Sequence, residues 1–436
     1  MRIRPFRGYR YNPAKVPHLS RVVVPPYDQI DPDACLALHE LHPWNFVRIT
    51  LGRPEPGNAG DVHRHRGARE CLDRWIAEQV LIRDPEPALY PVLTTYRAGG
   101  ETLSRMGFIA LGELSRYDEG LVLPHERTHA GPKAERLQHL EVTEADTGVI
   151  FMLASDPSGE LLRAAASPPT PPIAAARDGK GELHQLWRIT DPATIARMQA
   201  LLANERLIIA DGHHRYETAL EYRRRHPGAD WKLMAIFPLE APGVTILPTH
   251  RLLHDVPGFD AEALLARAAR WFEIERASAL ADPTAEAKAL ASALDARVRD
   301  GRLAVALVAG AERPGWLLTL SPEAFDAVPW PAGTSPAWRR LAVSVLHEGL
   351  LKPFVGITEE ILRRQTSVDY TADAVEAVTQ VRKGNYQAGF LIPPTTAEEL
   401  QAVVRAGELL PQKSTFFYPK LLDGLVFSRL SDGDSA

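Results

Sequence analysis

Apolar residues along this chain cluster in short runs or recur at helical spacing, and many runs end at glycine or proline. The clearest run, residues 207–210, ends abruptly at Asp211-Gly212 and is followed by apolar positions at helical spacing from Tyr216. This order predicts a strand, a tight turn and a helix. Two further runs on either side of Gly99-Gly100 predict a β-hairpin.

The rest of the pattern is that of a mixed α/β protein. Residues 45–52 alternate apolar and polar side chains and predict a strand. A helix is expected from Asp61, with the HRHR stretch of residues 63–66 on its solvated face. Further predicted elements are strands at 147–153, 231–237, 244–249 and 388–392 and a helix at 396–406.

Composition places the chain among ordinary soluble proteins, with 45% apolar and 24% charged residues. A formal net charge of −5 argues against a dedicated nucleic-acid binder. Two cysteines are too few for a disulfide framework or a thiolate zinc site. No apolar stretch of about 18 residues and no signal-peptide core is found, so we expect a cytoplasmic protein without a membrane partner.

The candidate chemistry centres on the Asp-Gly-His-His-Arg turn at residues 211–215. The first-turn N–H groups of a helix have no partners within it and attract anions. Gly212 lets the backbone approach a ligand, and Arg215 offers a fork that fits phosphate oxygens. Three cationic side chains there oppose the helix dipole, which favours a phosphate-binding turn with Asp211, Gly212, His213, His214 and Arg215 as its residues.

A purely structural interpretation of the same turn stays open. In it, Asp211 is only an N-cap, both histidines are packed or solvated, and Arg215 pairs with Glu217 or Glu221. The usual nucleotide motifs are missing, since the sequence has neither a Walker A nor a Rossmann glycine pattern. His213 and His214 would point about 100° apart on a helix, so they are poor joint ligands for one metal ion.

Six motifs together resemble a bacterial and archaeal family known as domain of unknown function 1015. They occur in the expected order along nearly the whole chain. The motifs are PPYDQI (Pro25–Ile30), NFVRI (Asn45–Ile49), LPHERT (Leu123–Thr128), ADGHHRYETAL (Ala210–Leu220), LPTHRLL (Leu247–Leu253) and KSTFFYPKLLDGLV (Lys413–Val426). The family itself implies no chemistry.

A more distant resemblance does imply chemistry. From Leu123 to about Arg224 the chain is similar to the core shared by partition protein B, sulfiredoxin and the free serine kinases. The serine kinases have a P-H-E segment before a helix and a strand that ends in D-G-H-H-R. This chain matches them with Pro124-His125-Glu126 and Asp211–Arg215, but its connection over roughly 156–204 is longer and rich in proline.

The same resemblance separates the possible activities. Sulfiredoxin has a cysteine where this chain has His213, and partition protein B has a G-E-R-R turn and a DNA-binding module. The serine kinases therefore fit best, which implies Glu126 as general base, with His213 and Arg215 holding the transferring phosphate and Asp211 a magnesium ligand. Further candidates are Lys133 and Arg136 for phosphate or nucleotide, and Arg48, His125, Arg251 and Lys413 for substrate.

The sequence thus predicts a multi-domain α/β (mixed α+β) protein. We expect a strand-containing N-terminal domain at 1–120, a partition protein B/sulfiredoxin-like core at 121–240 and a mixed C-terminal domain at 241–436. The expected function is that of a kinase that uses ATP or ADP with Mg²⁺ on a small hydroxylated metabolite, with free L-serine the first candidate. The alternatives are a nucleotide-binding regulator without phosphotransfer and a binder of phosphorylated metabolites. The role of the KSTFFYPK segment stays open.

Overall fold

A computed structural model describes residues 1–53, 61–126, 131–166, 170–277, 282–311 and 314–430. The chain divides into two compact units, each built from separate stretches of sequence. The first unit consists of Met1–Pro124, Thr128–Thr245 and Pro419–Ala436, and the second of His125–Arg127 and Ile246–Tyr418.

The first unit contains most of the strands. Its strands are β1 (Ile3–Arg4), β2 (Tyr9–Tyr11), β3 (Leu81–Arg83), β4 (Tyr90–Ala98), β5 (Glu101–Glu113), β6 (Val122–Leu123), β7 (Ala145–Asp146), β8 (Ile150–Ala154), β9 (Ala174–Arg177), β10 (Leu183–Leu186), β11 (Leu207–Asp211) and β12 (Trp231–Pro238). Its helices are α1 (Pro32–Leu41), α2 (Val47–Thr50), α3 (Asp61–Ala77), α4 (Gly131–Thr143), α5 (Glu160–Ala165), α6 (Pro192–Leu202) and α7 (His213–Arg225).

A nine-stranded mixed sheet organises this unit, in the order β6-β11-β8-β12-β5-β4-β10-β9, with β1 also paired to β5. The predicted hairpin around Gly99-Gly100 is confirmed as β4 and β5. The predicted strand, turn and helix at the Asp-Gly-His-His-Arg motif are confirmed as β11 and α7. Within its described residues, the proline-rich connection of residues 156–204 contains two helices and the strands β9 and β10, of which β9 is at the edge of the sheet.

The second unit has a smaller, antiparallel sheet in the order β15-β17-β16-β19-β14-β18. Its strands are β13 (Thr245–Leu247, beginning at the last residue of the first unit), β14 (His250–Leu253), β15 (Phe272–Arg276), β16 (Ala304–Ala309), β17 (Trp316–Leu320), β18 (Val368–Thr371), β19 (Ala388–Leu391) and β20 (Phe416–Tyr418). Its helices are α8 (Ala261–Ala268), α9 (Pro283–Arg299), α10 (Pro336–Arg339), α11 (Ala342–Leu346), a π-helix (His347–Val355), α12 (Glu359–Arg364), α13 (Ala374–Arg382) and α14 (Ala397–Arg405). A last strand, β21 (Ser428–Arg429), returns to the first unit and pairs with β7.

Local sequence explains where several of these helices begin. Asp191 accepts the Thr194 N–H at 2.8 Å and proline follows at the first helical position, so α6 starts there. Thr396 and Glu399 form a reciprocal capping box at the start of α14. Among the described residues, no helix is both long and apolar enough to cross a membrane.

One predicted strand is wrong. Residues 45–52 were predicted as a strand from alternation, but Val47–Thr50 form the short helix α2. Asn45 favours this turn, because its side-chain oxygen accepts the Val47 N–H at 3.0 Å. Phe46 and Val47 are both fully buried, and so are Ile49 and Thr50. Because adjacent residues are buried together, the apolar alternation does not mark the one buried face of a strand.

Candidate functional site

The site is built around the junction between β11 and α7. The register of β11 against β8 shifts between Ile209 and Asp211, and such a bulge redirects the side chain that follows it. Gly212 then adopts a φ of 95° and occupies the N-cap position of α7 without a side-chain cap. A Cβ atom at Gly212 would lie 3.1 Å from Arg215 Nε. The turn therefore requires glycine and leaves the first-turn N–H groups of α7 without a capping side chain.

Asp211 joins two cationic side chains at this turn. Its Oδ2 accepts a hydrogen bond from Arg215 Nη2 at 2.7 Å, and its Oδ1 accepts one from Lys420 Nζ at 2.6 Å. Arg215 also donates to the carbonyl oxygen of Val149. Burial alone would raise the pKa of Asp211, but Lys420 and Arg215 outweigh it and hold that pKa well below its usual range. Asp211 is therefore a fixed anion between two cations.

Two more carboxyl groups surround Arg215. Burial raises the pKa of Asp423 to about 7, and the charge of Asp28 adds to the shift while that of Arg215 opposes it. Desolvation and the charge of Asp211 raise the pKa of Asp28 in the same way. At neutral pH Asp423 is therefore partly protonated, so the cluster carries less negative charge than three ionised carboxyl groups would and an added anion meets less repulsion.

A small cavity of about 40 Å³ lies beside Arg215. Arg136, Lys232, Asp146 and Asp423 also line it. Lys232 is ion-paired with Asp146, whose second oxygen accepts the backbone N–H of β12 residue Leu233 at 2.7 Å. The structure thus brings the predicted residues Arg136 and Arg215 to one cavity.

Arg136 is held by a buried network that links α4 to α3. Its guanidinium donates to the Glu135 carboxylate at 2.6 and 2.7 Å and to the Thr50 carbonyl at 3.0 Å. His65 Nε2 lies 2.9 Å from Glu135 Oε1, and the His65 side chain is fully buried. The expectation that residues 63–66 are a solvated helix face is therefore wrong at His65. This side chain faces α4, where Glu135 provides a hydrogen-bonding partner for its ring.

Of the remaining predicted cations of the first unit, Lys133 and Arg48 do not line this cavity, whereas His213 and His214 form the first turn of α7. Lys133 forms an ion pair with Glu217. Arg48 donates to the His39 carbonyl at 2.6 Å on α1. His213 is 9% exposed and His214 is half-buried. The alternative pairing of Arg215 with Glu217 or Glu221 is wrong, since Arg215 pairs with Asp211. Asp211 does not cap α7 either, because Gly212 occupies that position.

The second unit gathers the other predicted residues. His125 is buried, and its Nε2 lies 2.8 Å from the Thr415 hydroxyl. Arg251 is fully buried and donates to the carbonyl oxygens of Gln412 at 3.2 Å and Lys413 at 3.0 Å. The Lys413 N–H approaches Glu126 Oε1 at 3.5 Å. His125, Glu126, Arg251 and Lys413 are therefore neighbours, while Arg127 and Thr128 of the same motif lie outside the described residues.

Five charged side chains of this cluster and its cavity were not predicted from the sequence. Asp28 lies in the PPYDQI motif, and Lys420 and Asp423 lie in the KSTFFYPKLLDGLV motif. These motifs were the available signal, but nothing in the sequence relates the three residues to Asp211. Lys232 is the second residue of a predicted strand and Asp146 directly precedes another, and neither lies in one of the six motifs.

Several solved structures are similar to this chain at low identity. They include a conserved hypothetical protein from Pyrococcus furiosus (14% identity, 72% of this chain and 93% of that chain, TM-score 0.35). They also include a free serine kinase variant in complex with AMP (13% identity, 72% and 90%, TM-score 0.37). A third is SbnI with a C-terminal truncation from Staphylococcus aureus (12% identity, 74% and 88%, TM-score 0.37).

The comparison with curated proteins finds no match. The family described as protein of unknown function DUF1015 matches residues 3–343, which is most of the chain. Five of the six motifs lie within these residues, and the match confirms the predicted family. The chain belongs to the DUF1015 family.

Proposed function

We propose that this protein is a nucleotide-dependent kinase that phosphorylates a small hydroxylated metabolite, with free L-serine as the first candidate. The observation that carries the proposal is the pairing of Arg215 and Lys420 on Asp211, directly at the uncapped start of α7. Phosphoryl transfer depends mainly on positioning and on neutralising charge at the phosphate oxygens. Two fixed cations and a helix N-terminus are the groups that such a reaction needs.

Within this proposal, Asp211 positions the cations. Arg215 and Lys420 are both mostly buried and share one carboxylate, so their charges are held in place before a ligand arrives. His213, His214 and the Gly212 backbone complete the proposed phosphate-binding turn, and Arg136 and Lys133 are proposed as further nucleotide contacts. Because the folded protein already orders these long side chains, little conformational entropy is lost when an anion binds, and this favours tight binding.

Magnesium would enter with the nucleotide, ATP or ADP, and would neutralise charge on its phosphates. Asp211 fits the role of a ligand because its low pKa keeps it ionised and each carboxylate oxygen has a second lone pair. Glu126 is proposed as the general base, a role that the resemblance to serine kinases implies. His125, Arg251, Lys413 and Arg48 are the proposed substrate contacts.

The test is nucleotide consumption by the purified protein. It is incubated with Mg²⁺ and either ATP or ADP, with and without L-serine or a pool of hydroxylated metabolites. We expect consumption that depends on the acceptor, with a phosphorylated acceptor as the product. Stimulation by a pool member other than serine would keep the kinase and change its substrate.

Variants assign the chemistry to the proposed residues. Arg215→Ala, Lys420→Met and Glu126→Gln should each lower acceptor-dependent turnover by about 100-fold or more. Arg224→Ala, an exposed position at the far end of α7, is the matched control and should retain activity. Tight nucleotide binding without acceptor-dependent consumption would contradict the kinase, as would activity that survives both Arg215→Ala and Glu126→Gln.

A further inference from the structure

Three potential metal ligands meet at the β9–β10 hairpin of the first unit. In the part of the chain that the structure describes, Asp178, Glu182 and His184 place one ligand atom each within 4.8 Å of the others. Asp178 and Glu182 lie in the connection between the two strands, and His184 is the second residue of β10. Glu182 and His184 are buried. Two carboxylates and an imidazole therefore converge at this hairpin, with Asp178 half-buried and the other two groups buried.

His184 is the residue that points to a ligand. Its side chain is fully buried, and its Nε2 makes no hydrogen bond within the described part of the chain. That atom is directed toward Asp178 Oδ2, 3.7 Å away, which is too long for a hydrogen bond. A buried imidazole nitrogen normally has a partner, and a metal ion held between the two groups would supply one.

Hydrogen bonds from neighbouring groups orient His184 and Asp178, as they commonly do for the ligands of a metal site. His184 Nδ1 lies 3.3 Å from the Thr94 hydroxyl on the neighbouring strand β4, so one ring nitrogen is held while the other faces the cluster. Asp178 Oδ1 accepts the backbone N–H groups of Lys180 and Glu182, each at 2.9 Å. These bonds leave Oδ2 as the oxygen that faces His184.

We propose that Asp178, Glu182 and His184 bind a divalent first-row transition-metal ion such as Zn²⁺ or Mn²⁺. Imidazole nitrogen with carboxylate oxygen suits these ions, whereas Mg²⁺ prefers an all-oxygen octahedral shell. Three protein ligands leave further coordination positions for water or a small ligand. The proposal stands on these residues and does not depend on the proposed kinase activity.

The test is metal binding by the full-length protein after its metal has been removed with a chelator. Zn²⁺, Mn²⁺ and Mg²⁺ are titrated separately by calorimetry, and bound metal is counted after dialysis. We expect one equivalent of Zn²⁺ or Mn²⁺ and a rise in Tm on binding. Absence of stoichiometric binding would overturn the proposal, and equal affinity for Mg²⁺ would overturn the assignment to a transition metal.

Variants locate the binding site. Asp178→Asn keeps the oxygen that accepts the two backbone N–H groups and removes the facing one, so it should abolish binding while the hairpin folds. His184→Gln should do the same, and Thr94→Val should weaken binding by roughly 10- to 100-fold. His254→Gln is the control, since His254 also lies beside two carboxylates, Asp255 and Asp369. Unchanged affinity in both Asp178→Asn and His184→Gln would overturn the proposal.

Discussion

Asp423 is a buried carboxyl group whose proton affinity differs between the folded and unfolded protein. Its pKa is raised to about 7 in the folded state, against about 3.9 in an unfolded chain. Between these values the folded state binds more protons, so this group makes the free energy of unfolding fall as pH rises. The destabilisation by Asp423 reaches its full size above the pKa of the folded state, where the group is ionised in both the folded and the unfolded protein.

Asp423→Asn should therefore stabilise the protein more at pH 8 than at pH 5, relative to the wild type. The contribution of one group changes by at most about 1.4 kcal/mol per pH unit. Urea unfolding at both pH values measures it, with exposed Asp230→Asn as control. Burial lowers the pKa of His139 to about 3, so this histidine makes the free energy of unfolding rise with pH. It does so equally in the wild type and in Asp423→Asn, and the difference between the two proteins therefore reports on Asp423 alone. An equal effect at both pH values would show that Asp423 titrates normally.

For individual residues, the sequence predicted the turn at residues 211–215 but not the distant charged side chains that pair with it. The residues Asp211 to Arg215 are adjacent, so their spacing alone predicted a cationic helix start. Lys420 and Asp423 meet the same turn from more than 200 positions away. No local pattern encodes such pairing, because it arises when the folded chain brings distant segments together.

Among elements, α3 and α4 are joined in part by the carboxylate of Glu135. Glu135 accepts hydrogen bonds from Arg136 and lies within 3.0 Å of Arg64 and His65. Arg136 and His65 are buried. Removing the charge would leave both without their compensating anion, which is costlier than the loss of an exposed ion pair.

Glu135→Gln should accordingly lower the free energy of unfolding by about 1–3 kcal/mol. Glu141→Gln is the matched control on the same helix, because Glu141 pairs with the partly exposed Arg225 at 3.1 Å. That change should cost less than about 0.5 kcal/mol. Equal losses in the two variants, measured by urea denaturation, would argue against a special role for the buried network.

Elements were predictable where local sequence and packing agree. The β4–β5 hairpin and the β11–α7 turn have apolar runs that end in glycine, and both are present. The short helix α2 was not predictable, because the adjacent residues Phe46 and Val47 are buried together, as are Ile49 and Thr50. When burial does not follow one face, alternation no longer separates a strand from a helix.

For the whole molecule, chain order does not coincide with the compact units. Pro419–Ala436 belong to the first unit, although the residues before them belong to the second. Backbone hydrogen bonds join Asp423 to Val24 at 2.9 and 3.1 Å and Phe427 to Tyr9 at 2.8 and 3.0 Å. The KSTFFYPK segment therefore spans a boundary between units, which explains why the sequence alone left its role open.

Truncation after Tyr418 should then damage the first unit rather than the second. It removes β21, the Asp423 backbone pairs and the carbonyl of Pro419, which the fully buried Arg105 binds at 2.6 Å. Arg105 also stacks on Phe151 and Phe237, at 4.6 and 4.8 Å from their ring centres, so the loss would extend into the main sheet. We expect a lower Tm and faster proteolysis within residues 1–245.

The variant Lys420→Met is the control for this truncation. It removes the charge of Lys420 but retains the backbone hydrogen bonds of the C-terminal segment. It should therefore change stability far less than the truncation does, while it removes the proposed anion site. If the truncated chain unfolds like the full-length protein, the C-terminal segment is not part of the first unit's cooperative fold.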